Sequence, residues 1–87
     1  MVYRFARSAA KHGISSERAV YVIEHCGLPF AFPEYPDTLM YLGDDTRGVA
    51  LEVGAVTADP ETLVVIHAMR LRRKFRTAYV EALSWRM

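Results

Sequence analysis

The sequence holds a single cysteine, Cys26, so no internal disulfide is available, and no Cys/His spacing reads as a zinc site. No apolar run approaches the ~18 to 20 residues of a membrane span, and the N-terminal residues lack the apolar core of a signal peptide. A P-loop, a dinucleotide fingerprint, a metal-ligand motif and a serine-nucleophile elbow are all missing. These absences lead us to expect a cytoplasmic protein that needs no cofactor. Any enzyme activity is then expected to rest on metal-free acid/base chemistry.

What is present is enough apolar material for one core: 52% of the 87 residues are hydrophobic, spread along the chain, which suits a single domain over residues 1–87. The net charge is only +1, but the charges are segregated. Between Leu28 and Val64 lie Glu34, Asp37, Asp44, Asp45, Glu52, Asp59 and Glu61 against one base, Arg47. Arg4, Arg7 and Lys11 lie towards the front, and Arg70, Arg72, Arg73, Lys74 and Arg76 towards the end. A field depends on where charges sit, so a basic face on a nearly neutral chain can still attract a polyanion. A solvated helix face is the simpler account of the same run.

The periodicity predicts α+β structure. Residues 4–12 read as a short helix with Phe5 and Ala9 on one face, stopped by Gly13. Ser15 then has the chemistry of an N-cap, with Glu17 in the first turn and Ile14 and Ala19 placed as a hydrophobic staple. That second helix runs over about 16–26, burying Ala19, Val22, Ile23 and Cys26, and Gly27 ends it. Three prolines make residues 28–37 an edge strand or extended loop. Strands follow over 38–43, 49–56 and 62–69, separated by turns over 44–48 and 57–61. A final helix over 70–83 carries the stripe Leu71, Phe75, Ala78, Tyr79, Ala82 and Leu83. The order α-α-β-β-β-α predicts two N-terminal helices, a three- to four-stranded antiparallel sheet and a C-terminal helix, with the helices on one face.

Along the last strand, strict alternation sends Leu63, Val65, His67 and Met69 one way and Val64, Ile66 and Ala68 the other. If 57–61 joins antiparallel neighbours, Glu52 falls opposite or next to His67, although a slip of one residue would separate them. A carboxylate beside an imidazole can fix its tautomer, the arrangement of a general acid/base histidine. The alternative is a half-buried histidine bonded to backbone. On the basic helix, with Leu71 and Phe75 inward, Arg73 points out, Arg72 and Arg76 line one flank, and Arg70 and Lys74 the other. Guanidinium forks suit phosphate oxygens. Tyr41, Tyr35 and Phe32 are available for base stacking or for the core. His25, at a helix end, reads as structural, and Lys11–His12 stays open between roles.

Lys11–His12–Gly13–Ile14 with the following helix, then Tyr41–Leu42–Gly43, Leu51–Glu52–Val53 and Val65–Ile66–His67–Ala68, resemble the BrnT-like toxins and related DUF4258 proteins of the RelE/ParE toxin superfamily. The resemblance spans nearly the whole chain in short motifs. It implies a type II toxin that cleaves messenger RNA, with or without the ribosome, and a small DNA-binding antitoxin encoded beside it. It also implies assembly with that antitoxin or with further copies of the chain. The family places an arginine after the small residue that ends the last strand, where this chain has Met69, and His67 stands where the family has serine. The catalytic role accordingly passes to His67 with Arg70 or Arg72, or cleavage is lost and only binding remains. The candidate set is His67, Glu52 and Arg70 for chemistry, with Arg72, Arg73, Lys74, Arg76 and Lys11 for phosphate binding.

Overall fold

A computed structural model describes residues 1–85. Strand β1 (Val2–Phe5) leads through a 3-10 turn (Arg7–Ala10) to helix α1 (Ser16–His25). Strands β2 (Phe30–Ala31), β3 (Leu39–Asp44), β4 (Ala50–Asp59) and β5 (Thr62–Arg70) follow. A second 3-10 turn (Arg73–Phe75) then enters helix α2 (Arg76–Trp85). The strands form one five-stranded mixed sheet in the order β1-β5-β4-β3-β2.

This corrects the expected fold in three respects. The chain does not begin with two helices: Val2–Phe5 lies in the sheet, parallel to β5 in the register Val2↔Thr62 to Phe5↔Val65. A nine-residue helix is marginal in isolation, whereas Val-Tyr-Arg-Phe suits a strand once a partner exists. Only the 3-10 turn remains of the first helix. The sheet is therefore mixed, with β1 parallel to β5 and every other neighbouring pair antiparallel. Nor do the helices share a face. Tyr41, Leu51 and Val53 pack with Ala19, Val22 and Ile23 of α1, while Met40 and Leu42 pack with Phe75, Ala78 and Tyr79. Successive strand residues point to opposite faces, so α1 and α2 cover opposite sides of the sheet.

Local signals account for the central elements. The Ser15 hydroxyl accepts the Arg18 amide at 3.2 Å, capping α1, and Gly27 leaves the helix at φ 85°. Gly43 allows α1 to settle closely, because a Cβ there would lie 2.8 Å from the Cβ of Cys26. β4 runs further than the predicted strand, to Asp59, and Pro60–Glu61 alone turns the chain into β5. At the other end β5 extends through Arg70, and Arg72 is still extended (φ −86°, ψ 155°), so the expected helix over 70–83 begins several residues late. No helix among the described residues is long and apolar enough to cross a membrane.

Candidate functional site

The strand β5 does not alternate strictly. Ala55 faces Val65 and Gly54 faces His67, which leaves Ile66 as a bulge without an opposite residue. A bulge shifts every later side chain to the other face. Leu63, Val65 and Ala68 therefore enter the α1 core, and His67 turns to the α2 side of the sheet. The expectation that Val65 and His67 share a face is corrected by that one inserted residue. Glu52 pairs with Met69, so it meets His67 diagonally rather than directly across.

Glu52 is fully buried on this face and accepts from two side chains and one amide. His67 Nε2 lies 2.8 Å from Oε2. The Arg72 amide donates to Oε1 at 2.8 Å, and its guanidinium donates Nη2 to Oε2 at 2.7 Å and Nε to both oxygens at 3.0 and 3.1 Å. Burial alone would raise the Glu52 pKa, but the His67 hydrogen bond and then the Arg72 bonds and charge outweigh it and bring it down to about 2. The same pairing, partly offset by desolvation, raises Arg72 further. Opposite His67, Gly54 provides space, since a Cβ there would stand 3.3 Å from that of His67. The imidazole is about one quarter exposed and lies edge-on to His12, with ring centroids 6.0 Å apart.

The structure thus joins Glu52, His67 and Arg72, and it sets Arg70 elsewhere. Arg70 pairs with Leu51, a residue of the α1 core, and so it points away from Glu52. It lines a cleft of about 420 Å3 with His12, Gly13, Ile14, Arg18, Arg47 and Met69. Arg73 and Arg76 flank Arg72 around a smaller hollow of about 300 Å3. Lys74 is drawn off to Tyr35, donating to its hydroxyl and lying over its ring, and that hydrogen bond lowers the Tyr35 pKa. Lys11 is exposed just beyond the first 3-10 turn. Of the stacking candidates, Tyr41 is buried in the α1 core, whereas Phe32 and Tyr35 pack on Phe75. The His25 ring stacks on Tyr21 and its Nδ1 meets the Tyr21 carbonyl at 2.9 Å, a structural role.

Sequence reasoning passed over a second buried acid. Asp45 accepts Arg18 Nε at 2.7 Å and the amides of Arg47 and Val49 at 2.8 and 2.9 Å. Desolvation pushes its pKa up, but the Val49 amide, the Arg18 bond and the Arg47 amide prevail, leaving it at about 2. Asp44–Asp45 in a turn next to a glycine was the available signal, but Arg18 lies 27 residues away and only folding brings it close. Among the described residues, no three His, Cys, Asp or Glu side chains come together as a metal-ligand set.

No family model, curated protein or solved structure matches this chain.

Proposed function

We propose that the chain is the toxin of a type II toxin–antitoxin pair, a metal-independent endoribonuclease acting on messenger RNA in the cytoplasm. The observation that carries this reading is the Glu52–His67–Arg72 cluster: a partly exposed imidazole held by a buried, ionised carboxylate beside a guanidinium. Glu52 engages Nε2, so a neutral ring that donates Nε2–H to the carboxylate keeps its lone pair on Nδ1. Nδ1 takes the ribose 2′-hydroxyl proton, and the 2′-oxygen attacks the adjacent phosphorus. The bond from phosphorus to the 5′-oxygen breaks, the proton taken up by Nδ1 passes to that oxygen directly or through water, and a 2′,3′-cyclic phosphate remains. Arg72, with Arg73 and Arg76 around the same hollow, is suited to the charge that grows on the phosphoryl oxygens. Glu52 is a positioning residue and His67 the catalytic one. Cleavage of RNA by the purified chain, lost in His67→Ala with the fold retained, is the expected outcome. An inactive wild type, or a fully active variant, rejects the assignment.

A second reading draws on the bond from the Arg72 amide to the Glu52 carboxylate, which fixes the path from β5 into the 3-10 turn without using the Arg72 guanidinium. On that reading the cluster is a clamp, and the chain is a non-catalytic protein- or nucleic-acid-binding module, such as a toxin relative that keeps only antitoxin binding. Growth arrest on expression, relieved by co-expressing a small DNA-binding protein encoded beside the gene, separates the two.

A further inference from the structure

The cleft on the other side of β5 is basic in a way the catalytic proposal does not use. β1 accompanies β5 only as far as Val65, and beyond that point the cleft opens beside Met69 and Arg70. Its described lining contains Arg18, Arg47, Arg70 and His12 and no carboxylate. Three guanidinium groups around a single space of about 420 Å3 would repel one another unless something held them there.

Asp45 offsets part of that repulsion. Its buried carboxylate ties down the Arg18 guanidinium through Nε and the chain at Arg47 through the amide. The turn is closed further by the Asp45 amide on the Val49 carbonyl at 2.9 Å and the Gly48 amide on the Asp45 carbonyl at 3.1 Å. Arg18 comes from α1, Arg47 from the β3–β4 turn and Arg70 from β5, so three separate elements converge. With Nε of Arg18 spent on Asp45, its Nη groups are the ones a ligand in the cleft would meet. The Arg18 guanidinium held in this manner, with Arg47 and Arg70 lining the same cleft, is suited to a tetrahedral oxyanion.

We infer that this cleft is a phosphate subsite: it binds a backbone phosphate of single-stranded RNA next to the one presented to His67. The link between the two places is His12, which lines the cleft and whose ring stands 6.0 Å from that of His67. The inference deepens the ribonuclease reading and rests on it for the identity of the ligand as RNA. The charge arrangement itself does not depend on catalysis.

The test uses the full chain, labelled with 15N, titrated with inorganic phosphate and separately with a short 2′-O-methyl RNA, which cannot be cleaved by 2′-oxygen attack. Both ligands should shift the amides of Gly13, Ile14, Arg47 and Arg70. The variant Arg47→Gln/Arg70→Gln changes two exposed side chains and leaves the Asp45–Arg18 pair in place, so the fold is retained. It should abolish those shifts and flatten the slope of log K against log salt for the RNA by about 0.7, the value for one phosphate contact on a single strand. RNA shifts confined to Arg72, Arg73 and Arg76, or an unchanged slope in the variant, overturn the subsite. Phosphate shifts without RNA shifts overturn the RNA assignment. Cleavage is read in parallel on unmodified RNA: a protein that binds RNA in the cleft and does not cleave it refutes the ribonuclease reading while upholding the subsite.

Discussion

Replacing Arg72 by leucine isolates what holds Glu52 in the sheet. The substitution removes the guanidinium, which supplies three of the five hydrogen bonds to the carboxylate, and leaves the amide of residue 72 and His67 as donors. The Glu52 side chain has no exposure to solvent, so it cannot recover hydration without opening the sheet. Stranding one partner of a buried pair typically costs about 3–5 kcal/mol. Arg72 is 40% exposed and Glu52 keeps two donors, so the cost of Arg72→Leu falls towards the lower end of that range. Domains of this size carry roughly 5–15 kcal/mol in total, so Arg72→Leu should bring the protein close to its stability limit. The double variant Glu52→Leu/Arg72→Leu removes the stranded charge as well, and apolar replacement of a buried pair is often neutral. It should therefore be more stable than Arg72→Leu alone. Urea denaturation of both single variants and the double variant closes the cycle. A cost below about 1 kcal/mol for Arg72→Leu, or a double variant that loses the sum of the two single costs, would refute this reasoning.

Acid should unfold the protein through the same carboxylates. The folded pKa values of Glu52 and Asp45 lie near 2, below their ordinary 4.5 and 3.8, so the unfolded chain takes up protons first as pH falls. Their contribution is complete above about pH 4.5 and is lost progressively towards pH 2; a urea midpoint unchanged across that window contradicts the ionised, paired state of both. Gly43→Ala should destabilise the fold by about 1–3 kcal/mol, because its Cβ would collide with Cys26, and a smaller Cys26→Gly/Gly43→Ala penalty than the single-variant sum would locate the clash there.

Much of the centre of this fold is legible because its signals are local. Ser15 and Gly27 bracket α1 within reach of their own hydrogen bonds, and the prolines around Phe30 and Ala31 restrict that segment to a two-residue edge strand. The apolar stripe of Phe75, Ala78, Tyr79 and Ala82 names the face of the C-terminal helix even though the helix starts late. The positions of Glu52 and His67 in neighbouring strands could likewise be read from the turn between them.

Residue order alone says which residues are apolar, which segments turn, and which charges and histidines exist to be used. Their company is set by folding. Val2–Phe5 becomes a strand because β5, sixty residues on, offers it an edge, and no local periodicity in four residues can announce a parallel partner. The bulge at Ile66 moves His67 out of the core and onto Glu52, a choice made by the packing of Val65 and Ala68 on α1. Arg70 and Arg72, two positions apart on an expected helix, end on opposite sides of the sheet because the strand stops at Arg70 and the departing chain brings Arg72 back onto Glu52. Short-range preferences set the elements, while long-range pairing and burial set their faces. It is the faces that decide which cation meets which carboxylate.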